Sequence, residues 1–529
     1  MASDKYTDKD RSDDLKVLHG MGYAQELSRS MSKFSNFAIS FSIICILSGG
    51  INSFAQAISS IGGAGAGIGW IVGCLLSGMF ALAMAQIASA FPTAGGLYHW
   101  ASILGGRFWG WLTAWLNLLG LITVLGAINI GTAYFFQGSF GAMFGTTGAD
   151  GAITAYPTSD MEIVIFVAVI TAVQAIFNHI GIKATTFLTD VSGYIIFVIT
   201  AVLVVACLYF APAIDVSRLW TFTNFSGAAG GGIFPESQSM GYLFLLCLLL
   251  PVYTITGYDA SAHTSEETKN AAMSVPQGIV NAVFWSSLVG WIMICAIMLA
   301  VPDLAVGASQ GGLVFFKTME AILPSGLMLF IYVGILIAQF LCGLATVTSA
   351  SRMLFAFARD DGMPVGSKAL ASVSPKFRTP VVAIWTATVL CILYVLMAMS
   401  LKVAGTSIYF IVVNSTLIFL FLSFTVPLVA GLFAYRTAKW PNPGPWAMSA
   451  SIYKLVTVLA VVGMGVILFI AVAPPNGRVL YVVLGFIALA LVLWFAVENR
   501  RFQGPPIGDR IASRKAAIAA AEKAVGEKG

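Results

Sequence analysis

Two short runs of small and hydroxylated residues interrupt long apolar stretches. The first reads Ser48-Gly49-Gly50-Ile51, followed by Asn52 and Ser53. The second reads Tyr253-Thr254-Ile255-Thr256-Gly257-Tyr258-Asp259, just after Pro251. Apolar stretches of this length form membrane helices, and non-helical backbone survives at that depth only where it lines a cavity. Where a helix unwinds, freed N–H groups and the positive end of the next half-helix suit an anion such as a carboxylate. Freed carbonyls and the opposite half-helix end suit a cation, an ammonium or Na⁺. One site can therefore hold both ends of a zwitterion. Gly49-Gly50 alone reads equally well as close helix packing. With Thr256-Gly257 also present, the pair reads as interruptions at corresponding positions of two halves, the sequence mark of a transporter's binding site.

Ionisable groups at membrane depth are few, and such groups are expensive there and usually functional. Asp259 and His263 stand four apart, hence on one helix face, where they can pair or share a proton. The plainer expectation is that Asp259 caps the second half of its broken helix. A gating or coupling role for Tyr258, Asp259 and His263 is kept beside it. Asp190 and His179 read as structural or interfacial, and Asn117 and Asn414 as interhelical hydrogen bonds. Four histidines without a His/Cys/Glu cluster argue against a metal site. No glycine-rich stretch precedes a Lys-Ser/Thr step, which argues against ATP-driven transport, and no Ser–His–Asp set supports an enzyme. No cofactor is expected beyond a coupling ion, H⁺ or Na⁺.

The elements that must position these residues follow from composition. The chain has 529 residues, 58% hydrophobic and 10% charged, with mean hydropathy +0.88. Soluble domains carry about 25% charge, so the solvent here is lipid, and the chain reads as an all-α polytopic membrane protein. Runs of roughly 20 apolar residues, enough to cross a bilayer, fall near 36–60, 66–90, 108–136, 161–180, 187–210, 240–262, 278–301, 325–350, 380–400, 406–433, 453–473 and 479–497. That makes twelve transmembrane helices. The seven cysteines all lie inside apolar stretches and read as small buried hydrophobes. Gly62–Gly67 reads as a loop and helix-packing element.

With both ends on one side, all but four of the 28 Lys and Arg fall on one face. The exceptions are Arg218, Lys317, Lys402 and Arg478. By the positive-inside rule both termini are cytoplasmic. Residues 1–35 are charged and hold no apolar core, so no cleavable signal peptide is expected. Residues 498–529, Ala-, Lys- and Arg-rich after Gly504-Pro505-Pro506, read as a solvated stop-transfer tail rather than a helix on anionic lipid. The net charge of +5 implies no nucleic acid partner; the partners expected are the bilayer and a small molecule.

Four ordered stretches carry a family resemblance. They are Ser48-Gly49-Gly50-Ile51; Ala90-Phe91-Pro92-Thr93-Ala94-Gly95-Gly96-Leu97-Tyr98-His99-Trp100; Thr256-Gly257-Tyr258-Asp259 with Glu266-Glu267-Thr268-Lys269-Asn270; and Ser351-Arg352 through Met363-Pro364 with Thr379-Pro380. Across residues 20–500 the chain resembles the amino acid–polyamine–organocation superfamily of secondary transporters. Gly22-Tyr23-Ala24-Gln25-Glu26-Leu27 and Asp259-Ala260-Ser261-Ala262-His263 are similar to its amino acid/choline branch, which includes GABA and choline permeases.

The resemblance implies a LeuT-like, five-plus-five inverted-repeat fold with two further C-terminal helices. The division is residues 1–35 as the N-terminal tail, 36–210 and 240–433 as the repeats, 453–497 as the last two helices and 498–529 as the C-terminal tail. It implies substrate between spans one, three, six, eight and ten, with Ser48, Gly49, Gly50 and Ile51 around the carboxylate. Carbonyls of Thr254, Ile255 and Thr256, next to Gly257, would face the amine, and Tyr253 would be a gating aromatic. Two features depart from the family. The order Ser-Gly-Gly replaces the commoner Gly-Ser-Gly, and no lysine lies near Ile196, where proton-coupled relatives carry one in span five. A sodium site would instead draw on span-one carbonyls with Thr346, Thr348 or Ser349, although such hydroxyls usually bond back within their own helix.

The resulting expectation is a secondary permease for a small amino acid, GABA-like or neutral, working by alternating access at the plasma membrane. Its rivals are a choline, ethanolamine or polyamine carrier, an amino acid exchanger, and a transporter-like nutrient sensor.

Overall fold

The computed structural model describes residues 6–147, 153–400, 408–474 and 477–525. Among these, eleven helices are long and apolar enough to cross a membrane, and the shorter apolar helix Met240–Thr254 begins a twelfth crossing. Span one runs in three pieces, Lys33–Ile44, Ile46–Asn52 and Phe54–Ile61. Spans two to five are Gly65–Ala90, Arg107–Ser139, Asp160–Ile180 and Ile182–Phe210. Span six is also broken, into Met240–Cys247, Leu249–Thr254 and Ala260–His263. Spans seven to twelve are Ala271–Ala300, Ser325–Arg359, Val381–Ser400, Ile408–Ala434, Ala450–Val472 and Val479–Arg501. Expected and observed spans agree in number and order. Lys402 and the expected first residues of span ten, 406 and 407, lie outside the described residues.

Lipid, not water, explains the outer surface. Spans four, five, eleven and twelve present large apolar side chains outward, among them Ile165, Phe187, Val205, Val462 and Phe495. The polar side chains turn inward: Asn117, Asn129, Gln174, Asn178, Gln339 and Asn414 are all wholly buried. Spans three and ten pack along much of their length, and span seven lies against spans one, two and five. Asn178 on span four donates to the Leu344 carbonyl of span eight at 3.0 Å, and Gln174 to that of Phe340 at 3.0 Å. Asp190 accepts the Ser35 hydroxyl at 3.0 Å, tying span five to span one. His179 accepts the Trp385 indole N–H at 3.1 Å. All seven cysteines are buried and unpaired.

The Gly62–Gly67 run differs from the expected loop in being largely helical, since Gly65–Gly69 leads directly into span two. Its packing role is plain, because a Cβ on Gly67 would stand 2.0 Å from the Leu219 carbonyl oxygen. The C-terminal segment also departs from expectation. It is not a solvated tail but is docked on the N-terminal segment, so both ends lie on one face, called here the tail face. Phe502 is 0% exposed, packed against Tyr98 and Phe357. Glu522 bonds His19 at 2.7 Å and accepts the Gln25 amide at 2.9 Å. Composition concealed this because the contacts use single residues, not an apolar stripe. The N-terminal helix Asp8–Gly20 is held the same way, as Asp14 accepts the amides of Asn270 and Ala271 where span seven begins.

Candidate functional site

The two broken spans interlock. In span one the helix stops at Cys45, whose backbone takes φ 28 and ψ 81, a left-handed conformation unusual for a side chain with Cβ. It restarts at once, with the amides of Ser48 and Gly49 donating to the Cys45 carbonyl at 2.7 and 3.1 Å. Ser48, Gly49, Gly50 and Ile51 therefore lie within a helical turn, all buried, and are not the unwound segment that the sequence led us to expect. Among the described residues, the amides without a hydrogen bond at this break are those of Ile46 and Leu47, and the carbonyls are those of Ser42 and Ile44. Nothing in a cysteine's side chain marks such a break in advance.

In span six the helix ends with the Ile255 amide on the Pro251 carbonyl at 2.9 Å. Ile255 takes φ −91 and ψ 56, and Gly257 takes φ 88. The break falls where the Thr-Gly pair places it. Carbonyls of Thr254, Ile255 and Thr256 accept no hydrogen bond among the described residues, and amides of Thr256, Gly257, Tyr258 and Asp259 donate none. The hydroxyls of Thr254 and Thr256 turn back onto the Leu250 and Tyr253 carbonyls, each at 2.7 Å.

The glycines allow the two breaks to meet. A Cβ on Gly49 would come within 2.9 Å of the Thr254 Cα, and one on Gly257 within 2.2 Å of the Ile43 side chain. Gly50 instead faces Met293 and Ile294 of span seven, which is the packing role open to it. Toward the tail face the halves continue side by side. Asn36 donates to the Ser261 carbonyl at 3.0 Å, and the Ser40 hydroxyl donates to that of Tyr258 at 2.9 Å.

Asp259 does not cap its half-helix; no side-chain cap bond is made there. Its Oδ2 accepts Asn117 Nδ2 of span three at 3.1 Å and lies 3.3 Å from His263 Nε2. Asn117 also reaches Ser423 of span ten at 3.3 Å, and His263 Nδ1 lies 3.1 Å from the Ala94 carbonyl. Both Asp259 and His263 are wholly buried, and Asp259 Oδ1 and the Tyr258 hydroxyl have no partner among the described residues. The Tyr258 ring packs on Phe424. Asp259 has helical backbone angles, φ −66 and ψ −15, rather than the extended ones from which an N-cap side chain reaches the amides ahead.

On the side away from the tails, Tyr253 and Tyr409 of span ten meet edge to face at 6.2 Å. Tyr409 lies 3.0 Å from the Ser53 hydroxyl of span one. Toward the tails lie two buried ion pairs. Arg352 binds Glu267 through two bonds of 3.0 and 3.1 Å, and Arg359 binds Glu266 at 2.8 and 2.9 Å. Burial raises the Glu266 carboxyl, but Arg359 beside it more than offsets this and leaves it below the usual carboxylate range. Nearby, burial lowers the His99 imidazole to about 3, with Arg359 pushing the same way and Glu266 opposing. Asp360 accepts the hydroxyls of Tyr23 and Tyr98 at 2.6 and 3.0 Å and lies 3.5 Å from Arg514 of the docked C-terminal segment.

The three hydroxyls of span eight do not form one set. Thr346 bonds back to the Cys342 carbonyl at 2.9 Å. Thr348 faces span four, donating to Asn178 Oδ1 at 2.7 Å. Ser349 is buried without a partner among the described residues. The residues that touch span one are others: Gln339 Nε2 donates to the Leu47 carbonyl at 3.2 Å, and the Cys342 thiol to that of Ile43 at 3.2 Å. Sequence reasoning missed both. A lone amide in the otherwise apolar first half of span eight was the signal available.

Comparison with known proteins gives a consistent picture. The sequence profile of the amino acid permease family matches residues 31–497. The chain is 32% identical to the amino-acid permease BAT1 of Arabidopsis thaliana over 92% of its own length and 95% of the relative's. It is 31% identical to the BAT1 homolog of Oryza sativa subsp. japonica, over 92% and 94%. To amino-acid permease 2 of Neurospora crassa it is 27% identical, over 93% and 88%.

Proposed function

Because this chain belongs to the amino acid permease family, and is therefore a multi-pass membrane transporter of amino acids and not an enzyme, we propose that its cargo is a small neutral or GABA-like amino acid bound between the two breaks. The observation that carries this is the pairing of unbonded carbonyls at Thr254–Thr256 with unbonded amides at Ile46, Leu47 and Thr256–Asp259 around one junction. An ammonium and a carboxylate need those two kinds of partner. Asp259 is the one carboxylate among the predicted site residues, and its Oδ2 is already engaged by Asn117 and His263, so a second positive charge on the cargo would compete with His263 for it.

Transport is driven by a proton held between Asp259 and His263, in place of the span-five lysine that this chain lacks. Their complete burial, the unpartnered Oδ1 and the link through Asn117 to span three support that role. Sodium has less support, since Thr348 is turned to span four. The protein sits in the cell membrane with its tail face cytoplasmic, as the placement of Lys and Arg favours. Alternating access rocks one helix bundle around the broken spans one and six. A choline carrier is the second reading, on the strength of the Tyr253–Tyr409 ring pair at the same junction.

The test is uptake of labelled GABA by proteoliposomes at matched and inward-acid pH, with and without Na⁺, and with alanine, choline and lysine as competitors. Accumulation that follows the pH gradient and is blocked by alanine supports the reading. In Asp259→Asn, gradient-driven accumulation should disappear while exchange of labelled for unlabelled amino acid persists. Competition by choline alone, or accumulation that follows Na⁺, would overturn the corresponding part.

A further inference from the structure

Where the span-one helix breaks, span eight supplies two donors to carbonyls flanking the break. Gln339 and Cys342 stand three apart, on one helix face, and their polar atoms meet the carbonyls of Leu47 and Ile43, one on each side of Cys45. Gly49, two residues beyond Leu47, lies against Thr254 of span six, and Tyr253 beside it meets Tyr409 of span ten. Spans one, six, eight and ten therefore converge here.

Gln339 is 0% exposed, and only half of its amide is used. The Leu47 carbonyl can bind only an N–H, so this contact fixes which end of the amide is nitrogen. The oxygen, Oε1, is left without a partner among the described residues. A buried acceptor left unsatisfied is unfavourable, and retention of one beside a helix break points to a partner that arrives with the cargo.

We propose that Gln339 reads the cargo's nitrogen: Oε1 accepts a hydrogen bond from a primary ammonium at the junction and so selects N–H-bearing amines over quaternary ones. This rests on the proposed amino acid permease reading and deepens it. A neutral amide oxygen accepts from an ammonium without adding negative charge, which suits a cargo with one positive charge. Choline has no N–H to offer and leaves Oε1 unsatisfied. Discrimination of this kind, in which the wrong ligand strands a buried polar group, is stronger than discrimination by size.

The experiment measures alanine uptake, with choline and lysine as competitors, for wild-type protein, Gln339→Met and Gln339→Glu in proteoliposomes. Gln339→Met keeps the length and removes the acceptor. It should raise KM for alanine about tenfold, equivalent to about 1.4 kcal/mol, with Vmax little changed and choline competing no worse than before. Gln339→Glu keeps the acceptor and adds a charge, and should improve lysine against alanine by at least about tenfold. If Gln339 only holds span one in place, both variants lower Vmax and thermal stability with unchanged KM and unchanged competitor order, and the proposal falls. Should Gln339→Met not fold, the lysine-to-alanine ratio of Gln339→Glu decides alone. Failure of the underlying reading is separate, since wild-type protein would then take up no alanine.

Discussion

At the scale of single residues, the packing toward the tails depends on charges that have no water. Glu267 and Arg352 are both wholly buried and hold each other through two bonds. Removing one member leaves the other charged and uncompensated, which costs about 3–5 kcal/mol. Glu267→Gln should therefore unfold well below the wild-type temperature in detergent, while Lys317→Gln, in an exposed pair with Glu320, should be nearly neutral. Equal melting temperatures for the two would show that the buried pair is dispensable. His99 supplies a pH dependence. Folded, its imidazole stays neutral down to about 3, whereas the ordinary value is 6.5. Below 6.5 the unfolded chain takes up a proton that the folded one refuses, so stability falls with pH at up to about 1.4 kcal/mol per unit. His99→Phe should flatten the melting temperature between pH 7 and pH 5, and an unaltered slope would assign the acid loss elsewhere. Roles at this scale were only partly legible. The pairing of Asp259 with His263 follows from a spacing of four, but its bond to Asn117 joins residues 142 apart, a distance no local pattern encodes.

Among the elements, the interlocked breaks decide whether spans one and six can sit together. Gly257 adopts φ 88, where a side chain is strained by roughly 1–3 kcal/mol, and its Cβ would also strike Ile43. Gly49→Ala pushes against backbone, the Thr254 Cα, which has no rotamer to yield. Both alanine variants should lose most uptake, Gly257→Ala with a lower melting temperature as well. Gly78→Ala in span two, with nothing within 4 Å of the new methyl, should behave as wild type; a comparable loss there would mean that the effect is not one of close approach. The break in span six could be read from its Thr-Gly pair because glycine is nearly obligatory at such a φ. The break in span one could not, since the donors that meet the carbonyls on either side of Cys45 come from Gln339 and Cys342, 292 and 299 residues away from those carbonyls in sequence.

Across the whole molecule, hydropathy sufficed to count and order the crossings because lipid imposes one length rule on all of them. It said nothing of the docked ends, whose contacts are individual: Phe502 between two rings, Glu522 on His19, Arg514 toward Asp360. Phe502→Ala empties a wholly buried site, a change that costs about 3–5 kcal/mol in a packed core. The C-terminal segment should then be cut faster by trypsin, which has Arg510, Arg514 and Lys515 to attack. An unchanged cleavage rate would mean that the ring is not what holds the segment.

The seven cysteines, all buried and none in a disulfide, carry a practical consequence. A polar maleimide in water does not reach thiols buried in membrane helices, so the natural chain already serves as an unreactive background. A single cysteine introduced on the exposed side of the N-terminal helix, at Lys9 for example, together with one in the C-terminal segment at Lys515, can be spin-labelled without removing any native cysteine. The distance distribution between the two labels then reports directly, in working protein, how often the ends let go of each other.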